Sequence, residues 1–237
     1  MKNIGNTWAT GSGIFETIRV EDGKVFALHR HHCRALETAT KVGISIPTEE
    51  FVAEASYEVI AAEDFKVGRL RWHFDKAGEF TISYTEFEDP VAPANLMIFD
   101  ERKSDFEIQR KEFPYKNLEL LDIARAANFD DGIIVRSDGQ VAETSMATLL
   151  LRIDGQWVTP PLSSGILNGV VRALVLEAGL AQVKKIEIQE LAQVRSGILL
   201  TSLRNAQNIG SIDGRELAID NEKCAEIHKL MNQFKGR

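Results

Sequence analysis

The sequence has too few cysteines, and apolar runs too short, for a disulfide-rich or membrane-spanning protein. Cys33 and Cys224 are the only two cysteines in 237 residues and lie outside any Cys-x-x-Cys spacing, which excludes a disulfide framework and a zinc knuckle. Apolar runs such as 148–151 and 197–200 are far shorter than the roughly 18 residues of a membrane span. Residues 1–7 lack the features of a signal or transit peptide. We therefore expect a cytoplasmic protein with no membrane partner.

Basic residues are also fewer than acidic ones. Lys and Arg number 28 against 35 Asp and Glu, so the formal net charge is −7. This deficit argues against nucleic acid as a partner. The balance of 44% hydrophobic and 27% charged residues is typical of a globular chain of one large or two small domains, and excludes disorder.

The first part of the chain predicts hairpins and helices in alternation. Residues 14–20 and 25–28 read as two strands around an Asp-Gly turn, and 69–74 and 80–84 as a second hairpin. Between the hairpins, helical periodicity covers 31–42, which Gly43 ends, and a second helix begins near 47–50. Two prolines within 88–94 predict a boundary between domains 1–92 and 93–237.

The second part predicts a different mixture of strands and helices. Strands are expected at 132–135, within 141–153 and at 156–159, with a β-rich segment at 185–188 and an apolar run at 197–201. Helices are expected at 118–127, at 168–177 and at the end of the chain, near Phe234. No internal repeat is present. The fold class predicted for the whole chain is α+β.

Three local patterns have chemical content. The loop 160–169, with two glycines before a helix, can form an anion cradle, although glycine also suits ordinary turns. Glu143 lies in an apolar strand region; it either points inward towards a positive or proton-donating partner, or lies at a solvated strand edge. Lys116 follows a proline-containing strand end and precedes a helix, a context that alone does not distinguish it from a solvated lysine.

The order of six motifs resembles the class-IV aminotransferases, the fold-type-IV pyridoxal-phosphate enzymes. These motifs are FETIRVEDG, His31-x-x-Arg34, a lysine, DDGIIVRSDGQVAE, TPPLSSGILNGVVR and LTSLRN, and they span residues 11–212. The resemblance implies a two-domain fold like that of D-amino acid aminotransferase. Its N-terminal domain is a small α/β sandwich and its C-terminal domain a pseudobarrel. The resemblance also implies a homodimer, with pyridoxal 5′-phosphate as cofactor and a small-molecule substrate.

The resemblance also implies roles for individual residues. Lys116 corresponds to the lysine that holds the cofactor and moves the substrate α-proton, and Lys111 is the reserve candidate because the separation 143 − 116 = 27 is short for the family. Glu143 corresponds to the glutamate facing the pyridine nitrogen. The implied phosphate ligands are Arg34, the backbone amides of Val170 and Val171, and the Ser202–Leu203 turn. Thr148 departs from the family, which commonly has asparagine there.

Within the family, the chain most resembles the 4-amino-4-deoxychorismate lyases, which release pyruvate and form 4-aminobenzoate for folate synthesis. That substrate has two carboxylates, for which Arg69, Arg71 and Arg204 are the candidate ligands; Arg69 and Arg71 share one face of a strand and can equally form a solvated face with cross-strand partners. A branched-chain or D-amino acid aminotransferase is the alternative, and a non-catalytic relative is a further one.

The sequence does not favour two other classes of site. Gly11-Ser12-Gly13 precedes a strand rather than a helix, which argues against a dinucleotide-binding loop. His29, His31 and His32 have no acidic or cysteine residue at ligand spacing, so no metal site is expected.

Overall fold

A computed structural model describes residues 13–103, 112–113 and 117–236, which divide into two compact units. Unit 1 contains the described residues of 13–89, 112–113 and 232–236; unit 2 contains those of 90–103 and 117–231. Within these residues no helix is long and apolar enough to span a membrane.

Unit 1 contains an antiparallel sheet, as the two hairpins predicted. Its described strands are β1 (Gly13–Glu21), β2 (Lys24–Val25), β3 (Val67–Asp75) and β4 (Phe80–Glu86), in the order β2-β1-β3-β4, with Glu112–Phe113 paired beside β1. Asp22 and Gly23 both have positive φ, 48° and 72°, the conformation that a tight Asp-Gly hairpin turn requires.

Two helices cover one face of this sheet. They are α1 (Leu28–Val42), which Gly43 ends with φ 73°, and α2 (Glu49–Ala61), whose first turn is capped by the Thr48 hydroxyl. The indole N–H of the fully buried Trp72 donates to Ser56 Oγ on α2 at 2.9 Å. The other face of the sheet presents a polar row from β3, formed by Arg69, Arg71 and His73.

Unit 2 contains a larger, mixed sheet. Its described strands are β5 (Ala94–Lys103), β7 (Asp131–Arg136), β8 (Val141–Thr144), β9 (Thr148–Ile153), β10 (Gln156–Thr159), β11 (Gln182–Val183), β12 (Ser196–Thr201), β13 (Asn205–Ile212) and β14 (Arg215–Glu216); β6 is the Glu112–Phe113 strand of unit 1. They follow the order β11-β10-β9-β12-β13-β5-β7-β8, with β14 beside β13. The helices are α3 (Leu118–Ala126), α4 (Val170–Glu177) and α5 (Asn221–Met231).

One sequence prediction in unit 2 is wrong, and one strand of this unit was not predicted. Residues 185–188 are not a strand: β11 lies earlier, at Gln182–Val183, and a 3₁₀ helix begins at Ile188. The physical reason is a capping box, in which the Glu187 and Glu190 side chains each accept from the other's backbone N–H. The long strand β13 was not predicted, because its central Gly210 and several polar residues obscure the alternation.

Candidate functional site

Glu143 is buried in unit 2, as the inward-facing alternative predicted. It lies on β8 with 4% of its surface exposed, and its Oε2 accepts the Leu167 backbone N–H at 3.1 Å. Burial lowers the pKa of Arg172, and the Glu143 carboxylate near it opposes that shift. Arg172 in turn donates to the Pro160 carbonyl oxygen at 2.8 Å. The solvated-edge alternative for Glu143 is therefore wrong, because this carboxylate is held among buried polar groups.

The start of α4 has the features of an anion cradle. Gly169 is the N-cap and has no side chain to occupy the first-turn amides, and the first turn contains no acidic residue. A Cβ atom at Gly169 would lie 3.3 Å from Thr148 Oγ1, closer than most real Cβ contacts. Val170 and Val171 are the buried residues that follow Gly169. Their backbone N–H groups belong to the first turn, where amides have no acceptor within the helix, so they can donate to an anion.

The Ser202–Leu203 turn connects β12 to β13 in the same unit. Arg204, which follows it, donates its backbone N–H to Thr201 Oγ1 at 3.0 Å and its Nη1–H to Gln207 Oε1 at 2.9 Å. Asn205 then starts β13 with φ 60°, a left-handed conformation that asparagine tolerates better than most residues. The turn thus has a fixed geometry, and its two residues remain half-buried.

Arg34 lies in unit 1, where a buried carboxylate fixes it. Glu16 is fully buried on β1 and accepts the Arg34 Nε–H at Oε1, 2.8 Å, and an Nη2–H at Oε2. His31 Nδ1 lies 2.7 Å from the same Oε2. Burial alone would raise the pKa of Glu16, but Arg34 and His31 together lower it to about 2. Arg34 is therefore held by a two-point ion pair, a geometry that fixes the plane of its guanidinium group.

Arg69 and Arg71 lie on the sheet face opposite the helices of unit 1, together with His73. Arg71 is 8% exposed, and Arg69 donates to Thr85 Oγ1 at 3.2 Å. Burial, together with the charge of Arg69, lowers the pKa of Arg71 to about 10. Arg71 is thus buried, so the prediction of a solvated strand face is wrong for this residue. Arg69 has the cross-strand partner that the same prediction gave it, Thr85.

The candidate cofactor lysines, Lys116 and Lys111, lie outside the described residues. The described residues nevertheless fit pyridoxal phosphate chemically. The buried Glu143 carboxylate matches a protonated ring nitrogen. The uncapped amides of α4 match a phosphate, and a side chain at Gly169 would crowd that cradle.

Sequence reasoning did not assign three buried residues: Glu16, which binds Arg34 in unit 1, and Asp131 and Arg172, which lie near Glu143 in unit 2. Glu16 stands between Ile14 and Ile18 on the buried face of β1, so the period-two alternation alone could have marked it as a buried carboxylate. No local pattern showed what Asp131 holds, because its partners in the 144–147 turn are 13–15 residues away in the chain.

Comparison with known proteins identifies the family. The sequence profile described as amino-transferase class IV matches residues 13–212. A Schizosaccharomyces pombe protein with the provisional name aminodeoxychorismate lyase is 28% identical, over 71% of this chain and 74% of its own length. A provisionally named branched-chain-amino-acid aminotransferase of Methanocaldococcus jannaschii is 26% identical, over 95% of this chain and 86% of its own.

A solved structure supports the fold. A Legionella pneumophila protein provisionally named 4-amino-4-deoxychorismate lyase superposes with a TM-score of 0.82 at 20% identity, covering 94% of this chain and 91% of that one. The predicted fold-type-IV, α+β architecture is thereby confirmed, and so is pyridoxal phosphate as the cofactor, since the enzymes of this family depend on it. The chain belongs to the amino-transferase class IV family of pyridoxal-phosphate enzymes.

Proposed function

We propose that this class IV enzyme is a 4-amino-4-deoxychorismate lyase, which removes pyruvate from its substrate and releases 4-aminobenzoate. When bound, pyridoxal phosphate supplies the electron sink for the carbanion that forms at the substrate α-carbon. The Glu143 carboxylate holds a proton at the ring nitrogen, and burial strengthens that interaction because little water competes for it. Arg34, the amides of Val170 and Val171, and the Ser202–Leu203 turn bind the phosphate. Lys116, with Lys111 in reserve, moves the α-proton.

The observation that carries the lyase proposal is the polar face of the unit 1 sheet. Arg69, Arg71 and His73 are successive same-face residues of β3, and threonine or serine lies opposite each of them on β4. Arg69 and Arg71 place two positive charges on this one face, and such a face attracts anionic groups of a substrate. Such a face suits a substrate with two carboxylates better than an aliphatic side chain. We propose Arg69, Arg71 and Arg204 as candidate ligands of its carboxylates.

Similarity to the S. pombe relative supports the same assignment, since its 28% identity extends over most of both chains. We also propose that the enzyme is a cytoplasmic homodimer; light scattering of the purified protein tests the dimer.

The experiment is a product assay on the protein reconstituted with pyridoxal phosphate. Enzymatically generated aminodeoxychorismate is added, and pyruvate and 4-aminobenzoate are measured separately. We expect both products in equal amounts, and their absence from a cofactor-loaded protein overturns the lyase proposal. Arg71→Gln should raise KM about tenfold, the effect of losing one charge-assisted contact of roughly 1.4 kcal/mol.

Two variants complete this experiment. Arg152→Gln is the matched control, because Arg152 is an exposed arginine of β9 that pairs with Asp220 at 3.4 Å and does not belong to the polar face of β3; the KM of this variant should equal that of the wild type. Lys116→Ala should abolish borohydride trapping of the cofactor on the chain. If Lys116→Ala still traps the cofactor, Lys111 becomes the cofactor lysine.

Amino-acid aminotransferase is the second candidate, because the M. jannaschii relative matches 95% of this chain. A panel of D- and L-amino acids with 2-oxo acids distinguishes it. Turnover of an aliphatic amino acid by a protein that yields no pyruvate from aminodeoxychorismate would favour this function. A chain that binds no pyridoxal phosphate would favour the non-catalytic relative.

A further inference from the structure

Glu143 lies in an irregular part of the unit 2 sheet. Strand β8 has four residues, and its pairing with β7 is regular only at Ile133–Thr144 and Val135–Val141, with a bulge between these two positions. Because Glu143 falls within that bulge, the β7–β8 ladder does not by itself set its position. Its Oε2 accepts the Leu167 backbone N–H at 3.1 Å. A carboxylate that must meet a ring nitrogen also needs the backbone that carries it to be held rigidly.

The turn that follows Glu143 is held by a second buried carboxylate, Asp131. Asp131 is the first residue of β7 and is 4% exposed. Its Oδ2 accepts from Thr144 Oγ1 at 2.8 Å and from the Met146 N–H at 3.2 Å. Its Oδ1 accepts from the Ser145 N–H at 3.0 Å and from the Gly132 N–H at 2.7 Å.

The same turn is closed by bonds of its own. The Thr144 N–H donates to the Ala147 carbonyl oxygen at 2.9 Å, and Thr144 Oγ1 also accepts the Ala147 N–H at 2.9 Å. Thr144 directly follows Glu143, and Thr148, next to the helix-start cradle, directly follows Ala147. One carboxylate therefore fixes the connection between two residues that line the proposed cofactor site.

We propose that Asp131 is a positioning residue for Glu143: it pins the 144–147 turn, so that the Glu143 carboxylate is held in place for the cofactor ring nitrogen. All four of its bonds are to donors within the protein, so Asp131 acts through the turn rather than on the cofactor. This inference rests on the role proposed for Glu143 and holds for lyase and aminotransferase alike.

The substitution Asp131→Asn tests the proposal with little change of volume. Its amide has one acceptor oxygen and a donor NH₂ group, so one of the two donor pairs, Thr144 with Met146 or Gly132 with Ser145, must face NH₂. The turn then loses bonds next to Glu143 without a cavity. We expect Asp131→Asn to weaken binding of pyridoxal phosphate to the apoprotein about tenfold and to lower kcat with KM nearly unchanged.

A double-mutant cycle separates positioning from general structural support. Asp131→Asn is measured alone and combined with Glu143→Gln, with cofactor affinity from tryptophan fluorescence as the first readout and kcat as the second. If Asp131 acts through Glu143, Asp131→Asn should weaken affinity less than about threefold in the Glu143→Gln background. An equal factor in both backgrounds, or a wild-type affinity for Asp131→Asn alone, overturns the proposal.

Asp130→Asn is the matched control. Asp130 is the neighbouring aspartate and also accepts a backbone N–H, but its donor is Asn95, at 2.7 Å, rather than a residue of the 144–147 turn. Its cofactor affinity should equal the wild-type value. If Asp131→Asn does not fold, Thr144→Val replaces it in the same cycle, with Thr144→Ser as the variant that should restore affinity. A wild-type chain that binds no cofactor overturns the proposed function and this inference together, whereas additive effects overturn only the role of Asp131.

Discussion

Replacing Glu16 by glutamine should destabilise unit 1 in a way that depends on pH. The Glu16 carboxylate is fully buried, and Arg34 and His31 lower its pKa from 4.5 to about 2. At about 1.4 kcal/mol per pKa unit, ionised Glu16 contributes roughly 3 kcal/mol to the free energy of unfolding at neutral pH. Removing one partner of a buried ion pair costs about 3–5 kcal/mol, which is of the same size.

The sign of the pH dependence follows from the lowered pKa. The stabilising contribution of Glu16 is fully present above the unfolded pKa near 4.5, and it is lost as the pH falls through the folded pKa near 2. Glutamine cannot ionise. The difference in unfolding free energy between wild type and Glu16→Gln should therefore shrink from about 3 kcal/mol at pH 7 to below about 1 kcal/mol at pH 2.

The assay is urea unfolding of the apoprotein at several pH values, followed by the fluorescence of Trp72. This residue is buried in unit 1 and reports on that unit alone once Trp8 and Trp157 are replaced by phenylalanine. Glu37→Gln serves as the control, because its ion pair with Lys41 is exposed and should contribute at most about 0.5 kcal/mol. A wild-type-to-Glu16→Gln difference that stays constant from pH 7 to pH 2 would refute the reasoning.

Three further predictions concern packing and burial. Gly132→Ala should destabilise unit 2 by about 1–3 kcal/mol in thermal unfolding, since an added Cβ would lie 2.0 Å from a ring carbon of Phe99, and a wild-type melting temperature would contradict this. Ser56→Ala should cost about 1–3 kcal/mol in urea unfolding, because it leaves the buried Trp72 indole N–H without its acceptor; Ser56→Thr, which keeps the hydroxyl, is its comparison. Burial raises the pKa of the Cys224 thiol to about 11. Iodoacetamide at pH 8 should therefore modify Cys224 far more slowly than the exposed Cys33, and equal rates would count against burial.

Much of the fold could be predicted from local pattern. The hairpin around Asp22-Gly23 and the helix that ends at Gly43 were predicted and are confirmed, because turn chemistry and periodicity are short-range properties. The β-rich prediction for residues 185–188 was wrong, because a capping box between Glu187 and Glu190 starts a 3₁₀ helix there. The parallel pairing of β5 with β7 and with β13 joins residues distant in sequence, for which no local pattern exists.

For the site, the sequence by itself determined the family and therefore the cofactor, because six motifs in a fixed order carry that information. It also determined which residue types are available, a carboxylate at position 143 and glycines before α4. Only the tertiary structure decided that Glu143 and Arg71 are buried rather than solvated, since burial depends on which segments pack over a strand. It alone showed that Glu16 fixes Arg34 and that Asp131 fixes the turn beside Glu143, because these bonds join residues 13–18 positions apart, and only folding brings such residues within hydrogen-bond distance.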